Sequence, residues 1–328
     1  MRTVLLLLIS GLFFGVSYGQ GCCSGGAGSP IAGGAASGVL LPSQMELSTS
    51  YQANRSNVFY SGNSETLPLF ESYKTDYTYF RTDYGISKRL TFSLASGYFF
   101  NKSYDENDET IQRKGIGDLL IFPRFNIYNQ QAENHRTEIT VGLGSKLPLG
   151  VYNDSLQQVI ELPGLPDIVN YTFAPPIVQR STGGTDLLFY TYWYRGYNKL
   201  ALRFFANTLY IKKGYNDLGQ KFGDYASVGF FASKTIWRNL GLTAQIKGEL
   251  IKKMEGGEDV NLLAEYNIEE TSTGSEKIFF IPQLSYSYKS LTGFITSEIP
   301  LYQNLNGTQI ASQWQFTMGV NYRFLTKK

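Results

Sequence analysis

Acidic and basic side chains recur singly along segments that are otherwise small, polar or aromatic: Lys74, Asp76, Asp118, Arg124, Glu138, Lys146, Arg203, Lys247, Glu249, Glu298 and Arg323. No two carboxylates stand out by spacing as an acid and base pair. Two chemistries suit a set of mixed sign. Around a wet passage it sorts solutes by field and size. In a narrow, closed interior it must pair with itself, because buried charges need partners. Both remain open at this point. The other candidate groups are the adjacent thiols Cys22 and Cys23. They could form a vicinal disulfide, pair between chains, offer two thiolates to a soft metal such as Cu(I) or Zn, or have no specific role. Two sulfurs alone do not complete a zinc site.

Hydrolytic chemistry needs a histidine base beside a serine or an aspartate. The only histidine, His135, falls in a short polar turn, and the sequence has no HExxH, no CxxC and no glycine-rich phosphate loop opening a helix. The chain is therefore not expected to be an enzyme, and no cofactor is implied. A net charge of +2 over 328 residues gives no electrostatic case for nucleic acid.

The elements that carry these charges have a period of two. In "SQWQFTMGVNYRF" (312–324) Trp314, Phe316, Met318, Val320, Tyr322 and Phe324 alternate with Gln315, Thr317, Gly319, Asn321 and Arg323. "RLTFSLASGYFF", "EITVGLGSK" and "NLGLTAQIKGEL" repeat the pattern. Strict alternation predicts strands with one apolar face. Twelve such segments are expected, at 44–54, 73–84, 88–101, 116–128, 136–147, 185–196, 199–212, 223–236, 239–252, 277–288, 290–300 and 311–324. The stretch 258–268 reads as either a loop strand or a short helix.

Connections alternate between short and long, the long ones being 55–72, 102–115, 148–184, 213–222, 253–276 and 301–310. Short turns at one end and long loops at the other are the mark of an outer-membrane barrel. The strands have the length needed to cross hydrocarbon, roughly 9–11 residues when tilted. In lipid an open edge would strand unmet backbone groups, so the sheet must close, and the charged residues named above are expected on the inward rows that line its lumen. The expected fold is all-β, a closed antiparallel transmembrane β-barrel of about 12 strands with short periplasmic turns and long extracellular loops. Tyrosine and tryptophan near strand ends (Tyr73, Tyr98, Tyr128, Trp193, Tyr210, Trp237, Tyr288, Trp314) fit interfacial girdles.

The domain reading has three parts. Residues 1–19 have one positive charge, an apolar run from Val4 to Val16 and small residues at Ser17 and Gly19, which reads as a secretory signal peptide. Residues 20–42 are glycine-rich and read as a flexible periplasmic tail or small plug; the barrel occupies 43–328. Loop 148–184 is long enough to draw functional interest. It is expected either to fold into the outer mouth as a constriction or to bind apolar ligands through Ile168, Val169, Tyr171, Phe173 and Ile177, unless it is simply a mobile surface loop.

"KGIGDLLIFPRFNIY" (114–128), "TVGLGSKLPLG" (140–150) and "EIPLYQNLNGTQIASQWQFTMGVNYRF" (298–324) carry a family resemblance. The chain resembles the outer-membrane β-barrels named for the meta-pathway of phenol degradation, which are similar to fatty-acid-transporter-type channels. The resemblance covers Ser43 to Phe324 and implies a transport-like barrel in the cell outer membrane of a Gram-negative organism. Two features depart from it: Leu325 to Lys328 follow the terminal aromatic, and the tail is smaller than the hatch of the fatty-acid channels.

The expected function is an outer-membrane, porin-like channel passing small hydrophobic or aromatic molecules by passive diffusion. The alternative is a non-conducting barrel that anchors or partners an envelope complex through its tail or loops. Expected partners are the lipid bilayer, a small-molecule solute and the barrel-assembly machinery, with an envelope protein under the alternative and no nucleic acid under either.

Overall fold

A computed structural model describes residues 18–20, 38–160 and 168–326, with backbone alone for 18–20, 158–160 and 168. Most of the expected leader and tail, including Cys22 and Cys23, lies outside the described residues, as does 161–167. The wall is built from twelve strands: β1 (Gln44–Ser56), β2 (Ser72–Gly85), β3 (Leu90–Glu106), β4 (Leu119–Gln131), β5 (Arg136–Leu147), β6 (Asp186–Tyr197), β7 (Leu202–Lys212), β8 (Tyr225–Trp237), β9 (Leu240–Ile251), β10 (Ser275–Tyr288), β11 (Leu291–Ile310) and β12 (Trp314–Leu325). Each pairs antiparallel with the next, and β12 pairs with β1 from Gln44↔Leu325 to Arg55↔Trp314, which closes the cylinder. The chain is thus an outer-membrane barrel whose β1 start and β12 end meet at the short-turn, periplasmic rim.

The alternation in the sequence becomes a difference between two faces. On β8, Phe230 is 61% exposed while its neighbour Phe231 is 8% exposed. Phe230 points at the bilayer and Phe231 into the barrel, because successive strand residues take opposite faces. The outward row of β12 carries Trp314, Met318, Val320 and Tyr322, all exposed, whereas Gln315 and Thr317 on the inward row are buried. Tyr128, Trp193, Tyr210, Trp237, Tyr288 and Trp314 are exposed large side chains near the strand ends, whereas Tyr98, also exposed, lies midway along β3 because that strand runs on to Glu106. Tyr73 differs from the expectation. It faces inward and packs against the cluster under the outer loops.

Inside, rings lie over glycines on the neighbouring strand. A Cβ on Gly97 of β3 would meet the Tyr77 hydroxyl oxygen at 2.2 Å, and one on Gly319 of β12 would meet Phe294 at 2.4 Å. Glycine at these positions makes room for a ring within a narrow lumen. The result is a filled middle: Phe122, Tyr190, Tyr192, Phe205 and Phe231 form one packed cluster, and Tyr77, Tyr79, Phe99, Leu120, Leu188, Leu209, Ile211 and Tyr225 belong to another.

Two expected loops are strands instead. β11 continues to Ile310 and pairs there with Phe59–Gly62, and β3 continues to Glu106 and folds into a hairpin with Glu109–Ile116. Above the hydrocarbon both faces of a strand meet water, so the apolar row ends while the hydrogen-bond ladder goes on. Periodicity therefore stops before the strand does. The ambiguous stretch holds a short helix, α1 (Leu262–Tyr266). Asn261 caps it, its side chain accepting from the Leu263 and Ala264 amides at 3.1 Å each.

Candidate functional site

Viewed from the strands inward, the lumen has three levels: a small chamber under an inturned loop, a packed aromatic middle, and a wide vestibule open toward the periplasmic turns. Charged groups run down the wall beside all three.

On the β1–β5 side, Asp83 is the hub. Arg81 Nε donates to its Oδ2 at 2.8 Å, Arg124 Nη2 donates to Oδ1 at 2.8 Å, and the Ser93 hydroxyl donates to Oδ1. Glu46 accepts from Arg81 at 3.4 Å and from Arg323 Nε at 2.7 Å. Glu138 accepts from Arg136 at 2.8 Å and from Thr140 Oγ1 at 3.1 Å. Higher up, Lys146 bonds Asp118 and lies 3.1 Å from Asp186, which Lys213 also reaches at 2.9 Å. Across the barrel, Lys247 bridges Glu298 at 2.9 Å and Glu249 at 3.2 Å and sits 4.8 Å from the centre of the Phe279 ring. Glu249 also accepts from the Tyr225 hydroxyl at 2.9 Å. Each of these charges has its opposite within reach, as burial demands.

Two expected lumen residues stand elsewhere. Lys74 and Asp76 are on the outward row of β2, because Arg81 and Asp83 at odd positions take the inward row. Lys74 donates to Asp105 at 2.6 Å, and Asp76 accepts from Arg55 at 2.6 Å and from the Tyr51 hydroxyl at 2.7 Å. They are tolerated outside because they sit at the outer end of the strands, where the surroundings are polar. Hydrogen bonds from Lys74, Ser72 and Thr110 hold the Asp105 carboxyl down to about 2. The reading of the sequence missed Glu46, Arg81, Asp83, Asp186 and Lys213. For Arg81 and Asp83 the signal was parity: one strand cannot send both 74/76 and 81/83 inward.

Loop 148–184 divides into two parts. Ser155–Ile160 and Ile168–Phe173 form an antiparallel hairpin that is a sheet separate from the wall, with Leu156 packed on the cluster under the outer loops and Tyr171 and Phe173 exposed. The side chain of Ile168 is outside the described residues, and Phe173 packs edge-on against Tyr266 at 5.2 Å. The second part turns inward at Pro175–Pro176. Val178 N donates to Pro175 O at 3.0 Å, and Ile177, Val178 and Gln179 are buried. Lys102 bonds the Gln179 carbonyl, Gln179 Nε2 donates to Ala174 O at 2.9 Å, and Arg180 reaches Asp154 at 2.6 Å. Ile177 and Val178 complete an apolar cap with Phe59, Phe70, Tyr104 and Ile310.

Beneath this cap is a chamber of about 140 Å³, walled by Tyr77, Phe99, Leu120, Leu209, Ile211 and Tyr225 and roofed by Pro176, Gln179 and Ser181. Thr75 Oγ1, Asp118 Oδ1 and Gln315 Nε2, from three residues lining this chamber, are buried and find no hydrogen-bond partner among the described residues. At the other end a cavity of about 550 Å³ adjoins one of about 310 Å³, the two sharing Glu46, Arg203, Phe205 and Arg323. Residues 38–40 run along the wall there. Arg124 Nη1 donates to Gly38 O at 2.8 Å, Val39 N donates to Glu138 at 3.2 Å, and Leu40 N donates to Thr91 at 2.8 Å. His135 lies at the turn after β4, its ring 6.2 Å from that of Tyr197.

No family model matches the sequence, and no curated protein matches it. Among solved structures, the chain is similar to an outer-membrane channel (COG4313) from Pseudomonas putida F1, at 9% identity and a TM-score of 0.61, over 89% of this chain and 100% of that one. A Pseudomonas aeruginosa FadL homologue matches at 9% identity over 85% and 90% of the two chains, with a TM-score of 0.40. The toluene transporter TbuX of Ralstonia pickettii matches at 10% identity over 87% and 90%, with a TM-score of 0.36. The first likeness concerns the fold; the other two scores are too low to bear on it.

Proposed function

We propose that the protein is an outer-membrane channel that passes small hydrophobic or aromatic molecules by passive diffusion. The observation that carries this reading is the chamber under the inturned loop. At about 140 Å³ it matches the size of a cavity that takes up a single benzene ring. Its wall is largely aromatic and aliphatic, and the three unpartnered polar atoms beside it offer a hydroxyl- or amide-bearing solute somewhere to bond. Rings rather than ion pairs fill the middle of the lumen, so a flat apolar solute replaces contacts with similar ones as it descends. The description of the Pseudomonas putida relative as a channel agrees with this. The glycine-rich tail serves as a small periplasmic plug, a role supported by the wall contacts of residues 38–40.

The packed middle also favours a second reading, a non-conducting barrel that presents the exposed hairpin around Tyr171 to an envelope partner. Uptake of radiolabelled toluene by cells with a lipopolysaccharide outer leaflet separates the two. Under the channel reading, cells carrying the barrel take it up faster than cells without it. Val178→Asp, which puts a carboxylate into the buried cap and drives the loop out, raises the rate further, by several-fold. Equal rates in all three strains would leave only the anchor.

A further inference from the structure

In the wide cavity at the periplasmic end the charges of the lining do not cancel. Arg81, Arg203, Lys289 and Arg323 line it against one carboxylate, Glu46. The adjoining cavity adds Arg124 and Arg136 against Glu138. Counting Asp83, which pairs with Arg81 and Arg124, the cations still outnumber the carboxylates. Arg323 and Arg81 are engaged by Glu46 and Asp83. Arg203 is not. Among the described residues its side chain bonds only Thr235 Oγ1, at 3.3 Å, and no carboxylate lies within ion-pair distance of it. Nor does the tail supply the missing charge, since Gln20 to Pro42 contains no Asp or Glu.

The rest of the lining is of two kinds. Arg203 pairs in register with Ser233, Ser233 with Thr243, and Thr243 with Gln283, so hydroxyls and an amide run around the wall beside the guanidinium. Ser285, Ser287, Ser290 and Thr292 extend this donor surface. Phe205, two residues from Arg203 on the same inward row, and Phe294 supply ring faces. A cavity of about 550 Å³ is within the usual range of small-molecule sites.

We propose that this vestibule is a binding site for a small organic anion that carries a ring, an aromatic monocarboxylate. Its carboxylate takes the Arg203 fork and the neighbouring hydroxyls, and its ring lies against Phe205 and Phe294. A guanidinium offers two parallel donors that fit a carboxylate, and the excess of cations draws the anion into the vestibule. A neutral ring lacks the first contact, and acetate lacks the second. The site stands whether or not the barrel conducts, since binding requires entry only from the periplasmic side.

The test is equilibrium dialysis of radiolabelled benzoate against the full-length protein in detergent, with protein-free micelles subtracted. Saturable binding is expected, weakened by added salt and displaced poorly by acetate and by benzyl alcohol. Arg203→Gln should weaken it at least about tenfold, the scale of one charge-assisted contact. Arg203→Lys should keep part of it. Lys234→Gln, which removes a charge from the outward row of β8, should leave it unchanged. Heat-modifiable gel migration confirms that each variant is folded. No saturable benzoate binding to the wild type, or equal binding by a folded Arg203→Gln variant, overturns the site. Displacement by acetate as effective as by benzoate overturns the ring contact. Binding without toluene uptake would sink the channel alone, and uptake without binding would sink this site alone.

Discussion

Asp83 and Asp76 lie on the same strand and both accept from arginine, yet they belong to different regions of the barrel. In the membrane belt the outward row is largely apolar, and buried charges face inward with partners of opposite sign. Asp83, with a 1% exposed side chain, is held by Arg81, Arg124 and Ser93. In the crown above the belt the same ladder continues with water on both sides. There Asp76 and Lys74 face outward, bound to Arg55 and Asp105. Height in the membrane, more than residue type, decides which way a charge points.

The largest effect expected from breaking that contrast is at Asp83. Asp83→Ala leaves the buried Arg124 guanidinium without a carboxylate and Arg81 with Glu46 alone, which costs about 3–5 kcal/mol. Its lipid-facing counterpart comes next: Phe230→Arg places a cation in the outward belt about halfway along β8, at a cost of about 2–4 kcal/mol. Asp76→Ala removes a partly exposed pair and should cost no more than about 1 kcal/mol. Urea unfolding from lipid vesicles, followed by tryptophan fluorescence, ranks the three. If Asp76→Ala proves as damaging as Asp83→Ala, the division into belt and crown is wrong.

This contrast also separates what could be read in the sequence from what could not. β12 was legible because its outward row is apolar from Trp314 to Phe324 and its inward row is polar throughout. β2 was not. "SYKTDYTYFRTDYG" carries rings on both rows, Tyr77 and Tyr79 inward and Phe80 and Tyr84 outward, because a narrow lumen packed with aromatics resembles lipid to the residues that face it. Only register against β1, where Glu46 lies opposite Asp83, fixes the parity, and register is a property of the assembled sheet. The ends of β3 and β11 were hidden for a related reason: outside the hydrocarbon nothing obliges a strand to alternate. The inturned segment was partly visible, since Pro175 and Pro176 followed by Ile177 and Val178 mark a turn carrying apolar side chains. Its anchoring through Lys102, Arg180 and Asp154 depends on contacts distant in sequence.

The finest test of the crown is pH. In the folded protein Asp105 titrates at about 2 because Lys74, Ser72 and Thr110 donate to its carboxylate, whereas in an unfolded chain it titrates near ~3.9. A carboxylate whose folded value is depressed contributes stability above its unfolded value, and this is lost as pH falls toward the folded one. The hairpin formed by the outer end of β3 and Glu109–Ile116 should therefore loosen between about pH 4 and pH 2. Pepsin is active across that window, so cleavage near Asn107–Asp108, at the tip of the hairpin, reports the opening directly. Lys74→Met removes the largest contributor to the depressed titration and should shift the onset of cleavage to higher pH, with little change in the unfolding of the belt. An onset that stays in place would mean that the Lys74–Asp105 contact, only half-shielded from water, contributes nothing measurable to holding the crown together.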